Sequence, residues 1–188
     1  IAFAIHNYHR YTGDYSYILE HGIEVLVAIA RFWQQRASFS KQHSKYVILG
    51  VTGPNEYENN VNNNFYTNYI AKWCIEYTLE QLDNIQTNHP TLYPNIIGKL
   101  NVTTPELDTM KAVAELMYFP FSEEYQVYLQ QDGFLDKEIK AVSELSAEDR
   151  PLNQNWSWDR ILRSCYIKQA DVLQGIYFFE EEFDKESV

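Results

Sequence analysis

Basic residues and cysteines are both scarce in this chain, and each shortage removes a class of function. Fifteen Lys and Arg stand against 26 Asp and Glu, a formal net charge of -11 over 188 residues. Nucleic-acid binders neutralise phosphates with clustered Lys and Arg, so this balance argues against that role. Only two cysteines are present, Cys74 and Cys165, in segments that both read as interior. A pair permits a disulfide, but small secreted domains built on disulfides carry many more, so reduced core thiols and a cytoplasmic location are expected. Asn101-Val102-Thr103 and Asn155-Trp156-Ser157 fit the glycosylation acceptor pattern, which is short enough to arise by chance. No apolar run approaches membrane-spanning length and no signal peptide is visible, so no membrane partner is expected.

What is abundant is apolar and aromatic. At 45% hydrophobic and 15% aromatic residues, the chain can bury one substantial core. Ile1 to Tyr11 read as the end of a helix, and Gly13 with Asp14 closes that element and opens the next. From Ser16 to about Gln35, Ile23, Leu26, Val27, Ala30 and Trp33 recur at helical spacing and predict a long amphipathic helix. Ala37 to Ser44 is a surface connection, and Lys45 to Leu49 a short strand or extended piece. A further helix is predicted from Phe65 or Tyr66, with Tyr66, Tyr69, Ile70, Trp73 and Tyr77 on one stripe and Cys74 and Ile75 beside it. Asn84 to Asn101 holds Pro90 and Pro94 with little periodicity and is expected to be loop or short pieces. Thr104-Pro105-Glu106 starts a helix, with Thr104 as its cap and Pro105 in the first helical position, running to about Tyr118. Tyr125 to Gln130 alternates as a strand does, Ser143 to Asn155 is polar and exposed, and Asp171 to Phe183 forms a helix ending in Glu180-Glu181-Glu182. The fold class is mainly α, with long loops, a few short strands and no internal sequence repeat.

Val51 to Ala71 lies between two of these elements and carries Glu56. Gly53 and Pro54 break the backbone there. Six asparagines fall between Asn55 and Asn64, a density suited to loop geometry and to hydrogen bonding with polyols. On composition alone, a Glu in a polar loop is a solvated surface residue in roughly nine cases of ten. A carboxylate held among amides and aromatics, however, is what sugar chemistry uses. Glu58 is too close in sequence to face Glu56 across a substrate, and is expected behind the site or at the surface. His6 and His9 share a helix face at a spacing that suits a metal, yet no third ligand accompanies them. A structural or solvent-facing pair is expected, and no metal site.

Gly53-Pro54-Asn55-Glu56-Tyr57 followed by Asn63-Asn64-Phe65-Tyr66-Thr67-Asn68-Tyr69 resembles the general-acid loop of the maltose phosphorylase family of disaccharide phosphorylases, glycoside hydrolase family 65, whose members also act on kojibiose and trehalose. Many relatives read Gly-Pro-Asp-Glu-Tyr-His-Glu-Asn-Val-Asp-Asn-Asn. This chain has Asn55, Glu58, Asn59 and Asn62 where those have Asp, His, Glu and Asp. The departures keep the glutamate, and the asparagine-rich form is more similar to the maltose-specific branch. A second match, Ile167-Lys168-Gln169-Ala170-Asp171-Val172-Leu173, is similar to that family's turn near the sugar. The resemblance implies an (α/α)6 barrel catalytic domain much longer than this chain, with residues 1–188 as its central part, incomplete at both ends. It further implies Glu56 as general acid, Lys168 and Gln169 as ligands of glucosyl hydroxyls, and Tyr57, Asn60 and Asn64 as residues shaping the pocket. The implied substrates are maltose and inorganic phosphate, with no metal or organic cofactor, in a homodimeric parent.

Chemistry agrees with a single acid. Breaking a glycosidic bond needs a proton on the leaving oxygen, and inversion needs a nucleophile on the opposite face of the sugar. A hydrolase adds a carboxylate to activate water, whereas phosphate is itself an anionic nucleophile. The acid role calls for partial burial of Glu56, expected beside Tyr57 and Phe65. Lys offers three donors and Gln both donors and an acceptor, a combination suited to vicinal hydroxyls. Taken alone, the chain is expected to be inactive, because the other parts of such a site lie elsewhere. The alternatives are a kojibiose or trehalose phosphorylase, an inverting α-glucoside hydrolase with a second carboxylate as base, and a non-catalytic carbohydrate-binding module.

Overall fold

Gly13 ends the first helix, α1 (Ala2–Thr12), in the left-handed region at φ 69°, with its N–H donating to the His9 carbonyl. Glycine takes that conformation without a side-chain clash. Asp14 then accepts from the backbone and hydroxyl of Ser16 and starts the next segment, as the sequence predicts. The computed structural model describes residues 1–183, and over them the chain forms two compact units. Its elements are helical apart from four short strands, and among the described residues no helix is long and apolar enough to cross a membrane.

One unit comprises Ile1–Tyr46 and Ile70–Met117. A π turn at Ile18–Gly22 leads directly into α2 (Ile23–Arg36), whose Leu26, Val27 and Ala30 are buried as their spacing predicts. Strands β1 (Ser38–Ser40) and β2 (Lys45–Val47) pair beyond it. The long helix α3 (Phe65–Asn88) supplies Cys74, Tyr77, Leu82 and Ile85 to a core shared with Ile5, Ile18 and Leu26. Burial pushes the Cys74 thiol up to about 11, and both cysteines are free, Cys165 being half-buried. His6 packs among Phe3, Trp73 and Tyr77, and burial lowers its pKa.

Two expectations are only partly met in this unit. The stretch from Asn84 to Asn101 is more helical than expected, because α3 continues to Asn88 and, after a turn at 89–92, the short α4 spans Tyr93–Leu100. Buried Ile85 carries the apolar stripe past Asn84, and Pro94 sits in the first turn of α4, where its missing N–H leaves no bond unmade. Helix α5 (Thr104–Glu115) is capped by Thr103 rather than Thr104, the Thr103 hydroxyl accepting from the Glu106 N–H, and it stops three residues short of Tyr118. Arg31 of α2 donates to both Glu106 oxygens (2.6 and 3.0 Å) and to the Leu100 and Asn101 carbonyls. It thereby also satisfies carbonyls at the end of α4, which have no partner within the helix.

The other unit comprises Val47–Tyr69 and the chain from Tyr118 onward. Phe65 and Tyr69, in the first turns of α3, stack with each other and meet Phe119 and Phe183. The predicted strand at Tyr125 to Gln130 shrinks to β4 (Val127–Tyr128), antiparallel to β3 (Phe121–Ser122), because Gln126 turns the chain at φ 55°. Short turns, α6 (Leu152–Asn155) and α7 (Trp158–Leu162) follow. Helix α8 (Asp171–Phe178) ends earlier than predicted. Phe179 is buried, and in the next turn Glu182 accepts from the Tyr69 hydroxyl at 2.6 Å.

Candidate active site

The asparagine run holds the loop's shape, and it does so inside the second unit. Val51 and Val61 exchange two backbone hydrogen bonds at 2.9 Å, closing residues 51–61 into a bridged loop. Asn62 accepts from the Gly50 N–H at 3.0 Å. Buried Asn63 accepts from the Ile48 N–H at 3.1 Å and donates to Asp132 at 2.6 Å. Asn60 and Asn63 both have positive φ, 55° and 51°, a region Asn tolerates better than most side chains. Asn64 caps α3, its Oδ1 accepting from the Thr67 N–H (3.0 Å) and hydroxyl (2.9 Å). Its Nδ2 donates to Asp171 at 2.8 Å and to the Gln130 carbonyl at 3.3 Å. Asn64 is therefore buried and fully engaged within the fold. Asn60 is exposed.

Asn55 joins the two sequence motifs. Its Oδ1 accepts from the Lys168 N–H at 2.8 Å and the Tyr57 N–H at 3.4 Å, and its Nδ2 faces Glu58 at 3.3 Å. Above this anchor the Lys168 ammonium pairs with the Glu56 carboxylate. Residues 112 apart in sequence thus meet on one surface, with side chains 46% and 64% exposed. The burial expected for Glu56 is absent, because Phe65 turns into the aromatic core instead of toward the acid. Tyr57 is half-buried beside it. Gln169 is half-buried, with its carbonyl accepting from Gln130 at 3.2 Å and its side-chain Oε1 buried without a hydrogen-bond partner.

Three residues lie behind this surface, two of them without a role assigned in the sequence. Glu58 is buried behind the site, the first of the two places expected for it. Its carboxylate accepts from Lys137, from Gln131 at 2.5 Å and from Asn55. Lys137 stands in an unpatterned polar segment, and nothing in the sequence singles it out. Asp171 lies in the second motif, four residues after Ile167, yet carries no assigned role there. It is fully buried, and that burial, reinforced by the Glu58 charge, pushes its pKa up from 3.8 to about 6 against the pull of hydrogen bonds from Asn64 and the Asn55 backbone. Gly53 makes room for it: a Cβ there would lie 2.4 Å from Asp171 Oδ2 and 2.5 Å from Asn64 Nδ2. The result is an exposed carboxylate–ammonium pair, able to exchange a proton and bind hydroxyls, mounted on a close-packed polar base.

Known proteins are similar to this chain over its whole length. The family described as glycosyl hydrolase family 65 central catalytic domain matches residues 1–188. Over 186 residues the chain is 55% identical to maltose phosphorylase of Bacillus subtilis (strain 168), covering 99% of this chain and 24% of that protein. It is 34% identical over 186 residues to kojibiose phosphorylase of Halothermothrix orenii, with the same shares covered. A solved structure of a protein from the human microbiome superposes with TM-score 0.83 at 33% identity, covering 97% of this chain and 25% of that one. The chain spans about a quarter of the length of the curated relatives it matches.

Proposed function

Because the chain belongs to the glycosyl hydrolase family 65 central catalytic domain family, and forms part of an (α/α)6 catalytic domain, we propose that the complete protein is an inverting disaccharide phosphorylase acting on maltose. The observation that supports the reaction type is the 55% identity to maltose phosphorylase over nearly the whole chain, and the meeting of Glu56 and Lys168 on one exposed surface supports placing both at the site. In the proposed reaction, Glu56 gives its proton to the glycosidic oxygen as the C1–O bond breaks, its electron pair staying on the departing glucose. A phosphate oxygen forms the new bond to C1 from the opposite face, giving β-glucose 1-phosphate. Lys168 and Gln169 hold hydroxyls of the transferred glucosyl unit, while Tyr57 and Asn60 border the opening. Inorganic phosphate enters as a substrate, and the reaction calls for no metal or organic cofactor. The remaining parts of the barrel belong to the rest of the protein, so the chain alone is expected to be inactive. The complete protein is proposed to be a cytoplasmic homodimer.

The test is release of β-glucose 1-phosphate from maltose by the complete protein, with and without phosphate, beside its Glu56→Gln variant. Phosphate-dependent turnover that disappears in the variant is the expected result. Two free glucose molecules per maltose without phosphate would instead identify a hydrolase.

A further inference from the structure

We propose that the buried Glu58–Lys137 pair is a positioning device that sets Glu56 and Lys168 against each other through the side-chain amide of Asn55. The proposal rests on the reading of Glu56 as the acid.

The pair is well withdrawn from water, with side chains 6% and 11% exposed. Moving two charges inside a protein costs several kcal/mol each before their attraction is counted, and a well-packed apolar pair is commonly as stable. Cohesion alone therefore gives weak reason for charges here. Geometry gives a stronger one. An ionised carboxylate only accepts hydrogen bonds, and an asparagine amide has one accepting end and one donating end. Glu58 thus requires the Nδ2 end of Asn55 to face it, which turns Oδ1 toward the Lys168 and Tyr57 N–H groups. In the flipped orientation, oxygen would face carboxylate and NH2 would face two N–H donors. Both groups held by Oδ1 adjoin the exposed pair, since Lys168 carries the ammonium and Tyr57 follows Glu56 in the chain.

The base of this relay is itself fixed. Lys137 donates to the Leu162 carbonyl at the end of α7 as well as to Glu58, and Gln131 donates to the second carboxylate oxygen. One carboxylate thereby ties residues 55–58 to residues 131, 137, 162 and 168. Displacing it shifts the acid and its partner together, and misplacement of a reacting group by about 1 Å costs on the order of a hundredfold in rate.

The experiment compares two variants of the complete protein with wild type, measuring kcat at saturating maltose and phosphate and the melting temperature of the same preparations. Glu58→Gln/Lys137→Met removes both charges together, so neither is left buried alone, and gives Asn55 a neighbour that accepts either amide orientation. Asn55→Ser keeps both charges and cuts the link to Lys168. The expected result is a fall in kcat on the order of tenfold to a hundredfold in both, with the double variant melting close to wild type. A purely packing role would move the melting temperature and leave kcat of the folded enzyme unchanged. Wild-type kcat in Asn55→Ser, or in the folded double variant, overturns the proposal. Should Glu56→Gln keep full turnover, the acid assignment itself fails, a result separate from either of these.

Discussion

Asp171→Asn should stabilise the protein at neutral pH and do nothing for it in acid. The carboxyl is fully buried and titrates near pH 6 in the fold, against 3.8 as its reference value. Because the folded value is the higher one, the neutral acid is the form the fold accommodates. Below about pH 4 the group is neutral in both states and imposes no penalty. As pH rises from there to about 6, the unfolded chain ionises first and stability is lost; above 6 the deficit is constant. A difference of about 2 pKa units corresponds to about 3 kcal/mol. Asparagine keeps the shape, and its oxygen can still accept from Asn64 Nδ2, while a mismatch at the other end costs about 1 kcal/mol. The variant should therefore gain about 2 kcal/mol above pH 7 and fall level with or below wild type at pH 4. Urea denaturation of both proteins from pH 4 to 8 gives the difference, in which other titrating groups cancel. A difference that does not change with pH would refute this reasoning.

Three further outcomes follow from the packing. Gly53→Ala should destabilise by about 2 kcal/mol or more, because its Cβ meets Asp171 and Asn64, both buried and hydrogen-bonded, and overpacking of this kind typically costs 1–3 kcal/mol; an unchanged urea midpoint would count against it. Arg31→Lys should cost about 1–3 kcal/mol, since one ammonium cannot reproduce the two-pronged contact with Glu106 and also hold the Leu100 and Asn101 carbonyls. Thermal melting would show it, and a shift no larger than that of a surface substitution would contradict the assignment. In the native protein a thiol reagent at pH 8 should modify Cys165 well before Cys74, whose thiol is buried and raised to about 11. Peptide mapping that finds Cys74 labelled first would show that its enclosure is wrongly described.

The helical class, the start of α3 at Phe65 and the buried face of α2 were legible in the sequence because each rests on local periodicity or a backbone break. Helix α4 was not, since eight residues around a proline give too short a pattern to outweigh the flanking polar residues. Strand β4 was overestimated because alternation over six residues says nothing of Gln126, which takes the turn. At the site, Glu56 and Lys168 were named from their motifs, and the structure brings their side chains together. For Glu58 the sequence left two places open, behind the site or at the surface, and the structure takes the first. Its burial depends on Gln131 and Lys137, more than 70 residues away, and no spacing rule within the loop registers partners so remote.

Much of the loop that carries Glu56 is fastened by side chains with no formal charge. Asn55, Asn62, Asn63 and Asn64 hold its backbone through amides, which neither gain nor lose a proton in the working range and whose short contacts dissolved ions do not screen. These amide contacts keep their form when acidity or ionic strength varies. A pH-dependent change in the loop's shape should then trace to the ionisable groups built into its base, Glu58 with Lys137 and Asp171 beside Asn64, and not to the amides that carry most of its backbone contacts.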